Sequence, residues 1–190
     1  MGSENARQLT PAQAICQDNF DLKRYVGRWF EMQREANTPF QKGEHGTADY
    51  SFTEAHPGIR VVNTEYLADQ QKTNQVIGKA ELRHPTRAAC VVAFSKFQPW
   101  GDYRVLATDY ETFSVVYSKS DRLMNKILRF EFMWILTREP MEIDSPSWKE
   151  MKAKTDQIIK EKLPEFDLER LHFTVHESGH EYPDVMKAEE

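Results

Sequence analysis

Short segments of alternating polarity follow one another along most of the chain, each ended by a turn signal. Tyr25 to Ala36 reads as a first strand, closed by Asn37-Thr38-Pro39 and Gly43, and the loop that follows carries Phe40 and His45. Ala48, Tyr50 and Phe52 alternate with Thr47, Asp49 and Ser51, the period of two expected where one face is buried and the other wet. His56-Pro57-Gly58 turns the chain into Ile59 to Leu67, where Arg60 marks the outer face and sets Val61 and Asn63 inward. From Val76 to Leu82 the charges Lys79 and Glu81 alternate with Val76, Gly78, Ala80 and Leu82, and in the next run Cys90, Val92 and Phe94 share a face.

Tyr103 to Tyr110 and Thr112 to Ser118 predict two more strands with a tight connection, and Leu128 to Arg138 predicts an eighth. Arg129 and Glu131 set the outer face of that last strand. Phe130, Phe132, Trp134 and Leu136 then point inward, and the same parity puts Arg138 on the inner side at its end. Ser145-Pro146 next supplies a cap and a first-turn proline. Trp148, Met151, Thr155, Ile158, Ile159 and Leu163 recur at helical spacing until Pro164, and Leu171, Phe173 and Val175 alternate as a short ninth strand. Eight antiparallel strands at hairpin spacing, one C-terminal helix and a short closing strand predict an all-β, up-and-down barrel, since closure removes exposed edges. The expected organisation is a loosely tied arm over residues 1–19, one barrel domain over 20–180 and a polar tail over 181–190.

Composition narrows what such a barrel can do. A length of 190 residues suits one domain, and a net charge of −5 with basic residues spread along the chain gives no positive field for nucleic acid. No segment has the roughly 20 apolar residues that span a bilayer, and the first fifteen residues lack the apolar core of a secretory signal. The two cysteines, Cys16 and Cys90, permit one internal disulfide or a free pair.

Asn19-Phe20-Asp21 followed by Tyr25-Val26-Gly27-Arg28-Trp29-Phe30-Glu31 resembles the opening of the lipocalins, whose signature is Gly-x-Trp on the first strand. Thr108-Asp109-Tyr110 with Ser114-Val115-Val116-Tyr117-Ser118 resembles the second motif of that family, and Trp134-Ile135-Leu136-Thr137-Arg138 the third. The resemblance runs over roughly residues 19 to 176 and is strongest to the apolipoprotein D and bacterial lipocalin branch. It implies a carrier of a small hydrophobic ligand of the fatty acid, lysolipid, retinoid or sterol class, secreted, periplasmic or within a secretory-pathway compartment. It also implies a barrel floor in which Gly27 and Trp29 meet Arg138, the arginine stacking on the indole. Lys119-Ser120-Asp121 stands where apolipoprotein D has cysteines, so that disulfide pattern does not carry over. No apolar signal precedes Cys16, so no lipid anchor is expected there.

The inward set expected to line a cavity is Tyr50, Phe52, Val61, Val92, Phe94, Val105, Phe130, Phe132 and Trp134, with Gly78 and Ala80 leaving volume beside one wall. Asn63 and Tyr103 are the inward polar candidates for orienting a head group. A solid core is the competing reading, because rings pack as well against each other as against a guest. The loops around Phe40, Phe97 to Gly101 and Leu123 to Ile127 are expected to form the open end, with Phe40, Phe97 and Trp100 marking its rim, either touching a membrane, lipoprotein or second copy of the chain, or folding over the mouth as a lid. Three rivals remain: an enzyme using an inward Cys90, a metal site on His172, His176 and His180, and a membrane- or partner-interaction module without a cargo. Nothing in sequence sets a base or cation beside Cys90, and alternation puts His172 and His176 on a wet face. The expectation is therefore a binding protein with no catalytic residue, metal or cofactor.

Overall fold

In the computed structural model, residues 9–52, 58–95, 100–120 and 130–185 are described. The alternating segments form β1 (Gly27–Glu35), β2 (Glu44–Phe52), β3 (Ile59–Leu67), β4 (Lys72–Leu82), β5 (Ala89–Ala93), β6 (Gly101–Thr108), β7 (Phe113–Ser120) and β8 (Phe130–Thr137). Each pairs antiparallel with its neighbour in sequence. β1 closes the ring, pairing through Gly27–Phe30 with β2 and through Phe30–Arg34 with β8. Closure leaves no long unpaired edge among the eight.

Some strands reach further than their apolar period. β4 starts at Lys72, where Lys72, Thr73, Asn74 and Gln75 pair in unbroken register with Leu67, Tyr66, Glu65 and Thr64, so the backbone ladder extends a strand whose side chains are polar on both faces. β2 starts at Glu44 through an irregular step before Thr47, with His45 at φ 55°. β1 starts later than the pattern implies, because Leu22–Tyr25 form a turn of helix whose first amides bond the Asp21 carboxylate. Gly27, at φ 105°, then swings the chain into the strand, a conformation that a side chain would strain.

The arm is tied down from Leu9 onward. Thr10 and Gln13 form a capping box on a short helix, Pro11–Ala14, and Cys16 is buried. Gln17 donates its amide to the Val105 carbonyl and accepts from Ala88, and Asp18 bridges to Arg87. The segment thus crosses one end of the barrel like a bar. At the other side of the wall, a long helix (Pro146–Lys162) begins at Ser145, whose hydroxyl accepts the Trp148 amide, and buries Trp148, Thr155 and Ile159. That face covers Met32, Leu106, Phe113, Val115, Met133 and Ile135, a second core outside the barrel and separate from the one within.

β9 (Leu171–Phe173) pairs with the upper part of β1, and there the expected alternation ends. Thr174 still bonds the Met32 carbonyl, but the Val175 carbonyl accepts from the His45 amide, so the chain passes from β1 to β2. This shift buries Thr174 and His176 and leaves Val175 exposed, the reverse of the predicted parity for His176.

Candidate functional site

The barrel interior has two unlike halves. At the closed end Trp29, 0% exposed, donates its indole N–H to the Tyr25 carbonyl at 2.9 Å. The Arg138 guanidinium lies 3.7 Å above the indole ring centre. It donates to the carbonyls of Tyr110 (2.9 Å), Arg28 (2.8 Å), Arg24 (3.0 Å), Val26 (3.1 Å) and Tyr25 (3.2 Å). A Cβ at Gly27 would stand 3.1 Å from Arg138 Nη1, so the glycine also makes room for this cation. Phe20, Tyr25 and Tyr110 stack around the same point, and Ala48, Val61, Val105 and Val116 fill the space above them.

Two expected cavity residues lie away from the cavity, toward this closed end. Val105 is fully buried where its carbonyl accepts from Gln17 of the arm and its amide donates to Ala88, next to β5. Phe52 is 54% exposed beyond the floor, near Leu22, Ile59 and Leu82. Parity told which face each side chain takes and nothing of its height along the barrel. The volume expected at Gly78 and Ala80 is also absent. A Cβ at Gly78 would meet Phe94 Cδ1 at 2.6 Å, so the Phe94 ring occupies that space, and Ala80 lies in the packed core.

The mouth-side half encloses a cavity of about 90 Å³. Its walls include Tyr50, Val61, Asn63, Val92, Phe94, Tyr103 and Trp134 from the predicted set. Leu136, inward by the parity of its strand, and Phe40, expected at the rim, join them, and the structure adds Thr47, Ala48, Val116, Glu31 and Gln41. Glu31 stands two residues from Trp29 on β1, so strand parity was the signal that placed it inward; Gln41 lies in a loop and carried none. Phe132 sits at the rim, its ring 5.2 Å from Phe40 and 6.0 Å from Trp134. Phe40 itself is 57% exposed. Phe97, the Phe130 side chain and the segment 123–127 lie outside the described residues. Trp100 is neither a projecting rim nor a lid: its ring lies on the outer wall, over Lys79 Nζ at 4.8 Å and the Arg83 guanidinium at 5.4 Å. Two outward cations, Lys79 on β4 and Arg83 just past its end, hold a ring that the sequence pattern had aimed at the mouth.

A polar network runs along the cavity wall. Trp134 donates its N–H to Gln41 Oε1 at 2.8 Å, and Gln41 Nε2 donates to Glu31 Oε2 at 2.9 Å. Glu31 Oε1 accepts from Arg34 (2.6 Å) and Thr174 (2.8 Å). Burial pushes the Glu31 carboxyl above its ordinary value, against the pull of Arg34. Lower down, the Tyr103 hydroxyl meets those of Tyr50 (2.8 Å) and Tyr25 (3.1 Å), and Tyr25 meets Ser114 (2.9 Å). Burial raises both Tyr50 and Tyr103 well above the usual phenol range, so these hydroxyls stay neutral.

Nothing in this arrangement activates a nucleophile at Cys90. Both cysteines are free and buried; burial pushes Cys16 up to about 11 and Cys90 to about 12, which keeps both thiols protonated near neutral pH. The three histidines do not converge either. His172 is exposed beside Glu44, whereas His176 has Nε2 at 2.8 Å from the Glu31 carbonyl and Nδ1 at 2.7 Å from the Tyr182 hydroxyl. His180 stacks on His45 with ring centres 3.7 Å apart. Among the described residues no group of three or more His, Cys, Asp or Glu side chains is placed to hold a metal ion.

Comparison with known proteins agrees with this architecture. Mouse apolipoprotein D is 38% identical over 125 residues, covering 65% of this chain and 64% of that protein. The outer membrane lipoprotein Blc of Escherichia coli K12 is 38% identical over 126 residues, with 65% and 64% covered. The chain therefore spans slightly less than two thirds of the length of these relatives. Among solved structures, insecticyanin from the tobacco hornworm Manduca sexta superposes with a TM-score of 0.68 at 20% identity, covering 86% of this chain and 84% of its own. Lobster apocrustacyanin A1 superposes with a TM-score of 0.65 at 21% identity, covering 83% and 81%. At such identities the likeness is one of fold. A family model described as a lipocalin-like domain matches residues 20–174, the stretch from Phe20 of the floor through β9, and with a closed eight-strand barrel, an arginine seated on the Gly-x-Trp indole and a helix outside the wall, the chain belongs to the lipocalin family.

Proposed function

We propose that the protein binds and carries one small hydrophobic ligand in the mouth-side cavity, and that it is a carrier rather than an enzyme. The observation that carries this reading is the division of a single barrel into a sealed floor and a ring-lined cavity that opens beside an exposed Phe40. The protonated Cys90 thiol, outside the cavity wall, supports binding without catalysis. The relatives named apolipoprotein D and outer membrane lipoprotein favour a secreted, periplasmic or secretory-pathway setting. An exposed aromatic at the entrance fits brief contact with a membrane or lipoprotein during loading.

A neutral dye that brightens in apolar surroundings, such as N-phenyl-1-naphthylamine, tests the reading. Saturable binding of one dye per chain is expected, with displacement by linear alcohols that strengthens several-fold per added methylene, as about 0.8 kcal/mol of burial each implies. Dye binding that never saturates, or alcohols of every length failing to displace it, overturns the carrier reading.

A further inference from the structure

On the mouth side, the wall between β1 and β2 is completed by the C-terminal segment. The ladder between the two strands runs from Gly27 opposite Tyr50 to Phe30 opposite Thr47. Beyond it the next β1 carbonyls meet the chain after β9: Met32 accepts from the Thr174 amide at 2.9 Å, and Glu31 lies 2.8 Å from His176 Nε2. On the β2 side the His45 amide donates to the Val175 carbonyl at 3.0 Å. Thr174 also reaches inward, its hydroxyl donating to Glu31 Oε1, while Glu31 Oε2 accepts from Gln41, the neighbour of Phe40 in the entrance loop. One chain of contacts thus joins the segment to the mouth.

Rings rather than ion pairs fasten the rest of it. A carbonyl only accepts, so His176 Nε2 carries the proton given to Glu31, and Nδ1 is the bare nitrogen that accepts from the Tyr182 hydroxyl at 2.7 Å. The His180 ring lies on His45 with the planes 5° apart, and His45 Nδ1 is buried without a partner. Phe30 of β1, Tyr66 of β3 and Tyr182 of the segment surround these rings. The acids facing them are Glu177, exposed and 3.9 Å from His45, Glu181 near His180, and Glu44, which lies beside the exposed His172 and accepts the Val175 amide. The cations on β1, Arg28 and Arg34, are paired with Asp49 and Glu31, and Arg60 of β3 donates to the Val185 carbonyl. A proton on His176 takes the nitrogen that holds Tyr182, and protons on both His45 and His180 put like charges in one stack.

Resting on the carrier reading above, we propose that residues 174–185 form an acid-released strap that holds the entrance loop shut, so that the protein exchanges its guest faster at mildly acidic than at neutral pH. Burial holds all three histidines below their ordinary value of 6.5 while the strap is seated, His176 at about 4, and detachment returns them to it. Falling pH therefore favours the detached strap, and between pH 7.4 and 5.0 His176 alone shifts the balance about thirtyfold. Detachment withdraws the Thr174 hydroxyl from Glu31, loosening the carboxylate that holds Gln41 and with it the loop that carries Phe40.

Hydrogen–deuterium exchange, corrected for intrinsic rates, reads the strap directly: residues 174–185 are expected to lose protection about thirtyfold from pH 7.4 to 5.0, while β6 to β8 keep theirs. Stopped-flow release of N-phenyl-1-naphthylamine is expected to quicken by about the same factor. His176→Gln keeps a donor and an acceptor but takes no proton, and His180→Phe keeps the stack; together they are expected to cut both ratios to about threefold or less. Strap protection that is unchanged at pH 5.0, protection lost from the whole barrel at once, or dye release that stays constant while the strap opens each overturns the proposal, and none of these needs a variant. Unreduced ratios in the double variant overturn it too. A dye that does not bind sinks the carrier reading, while exchange still decides whether acid frees the strap.

Discussion

Replacing Arg138 by methionine removes a guanidinium and keeps an unbranched apolar stem over the Trp29 indole, so the loss is mainly that of the charge and its donors. Five carbonyls lose a donor. Tyr25 keeps another partner in the Trp29 N–H, and the bond to Arg24 lies in an exposed position where water can replace it. The two shortest bonds, to Arg28 at 2.8 Å and Tyr110 at 2.9 Å, join β1 to the β6–β7 turn and have no such substitute. At about 1 kcal/mol each, with about 1–2 kcal/mol for the cation over the indole, the variant loses about 3 kcal/mol. For a urea slope of roughly 1–3 kcal/mol per molar, the midpoint followed by tryptophan fluorescence drops by roughly 1–3 M. Arg138→Lys restores less than half of this, because an ammonium cannot reach carbonyls on separate chain segments in the plane of one fork. A loss below about 1 kcal/mol for Arg138→Met, or full rescue by lysine, would refute the view that this fork clamps the floor.

Two further outcomes follow from buried groups. The segment from Thr174 to Val185 holds His176 and His180 against His45, Tyr66, Phe30 and Tyr182, with Glu44 and Glu177 the nearby acids and Arg28 donating to the Pro183 carbonyl. Burial lowers all three histidines, His176 to about 4 from 6.5, so the native state stays neutral while the unfolded chain gains a proton: stability is full above about 6.5, declines as pH falls and is lowest once pH reaches about 4, a loss of about 3 kcal/mol from His176 that equilibrium urea unfolding across this range detects and that His176→Gln flattens. The rise of Cys90 from 9.0 to about 12 cuts its thiolate population about a thousandfold, so iodoacetamide at pH 7.4 should label it far more slowly in the native protein than in urea, and equal rates would reopen a catalytic role.

The fold was legible because its signals are local. Turn residues and a period of two mark strands whatever the packing, and Gly27-x-Trp29 with Arg138 is a pattern whose partners sit at fixed strand ends. The cavity was less legible, since it depends on height as well as face. Phe52 and Val105 share inward parity with Tyr50 and Tyr103, yet one overshoots the floor and the other is packed beneath the arm. Trp100 left the mouth because Lys79 and Arg83 lie beneath it, a contact between residues distant in the chain that no short window contains. His176 became buried for a comparable reason. Its segment leaves the β1 ladder after Phe173, and a crossing from one strand to another has no period to read.

The modest size of the cavity decides where motion has to occur on loading. A space of about 90 Å³ is smaller than the roughly 150 Å³ that admits a benzene ring in an engineered core, so an acyl chain or a fused ring system needs more room than the closed form provides. The floor cannot yield it, because Arg138 ties separate chain segments to one point and the arm bars that end. The mouth can, because Phe40 is more than half exposed and touches Phe132 and Trp134 by ring edges and tilts rather than by enclosure. Swinging Phe40 outward loses little burial, whereas a guest that takes its place covers Trp134 and Phe132 and gains about 25 cal/mol for each Å² of apolar surface removed from water. Affinity is then expected to rise with the apolar area a ligand presents at the mouth, which displacement titrations with ligands of graded apolar area check.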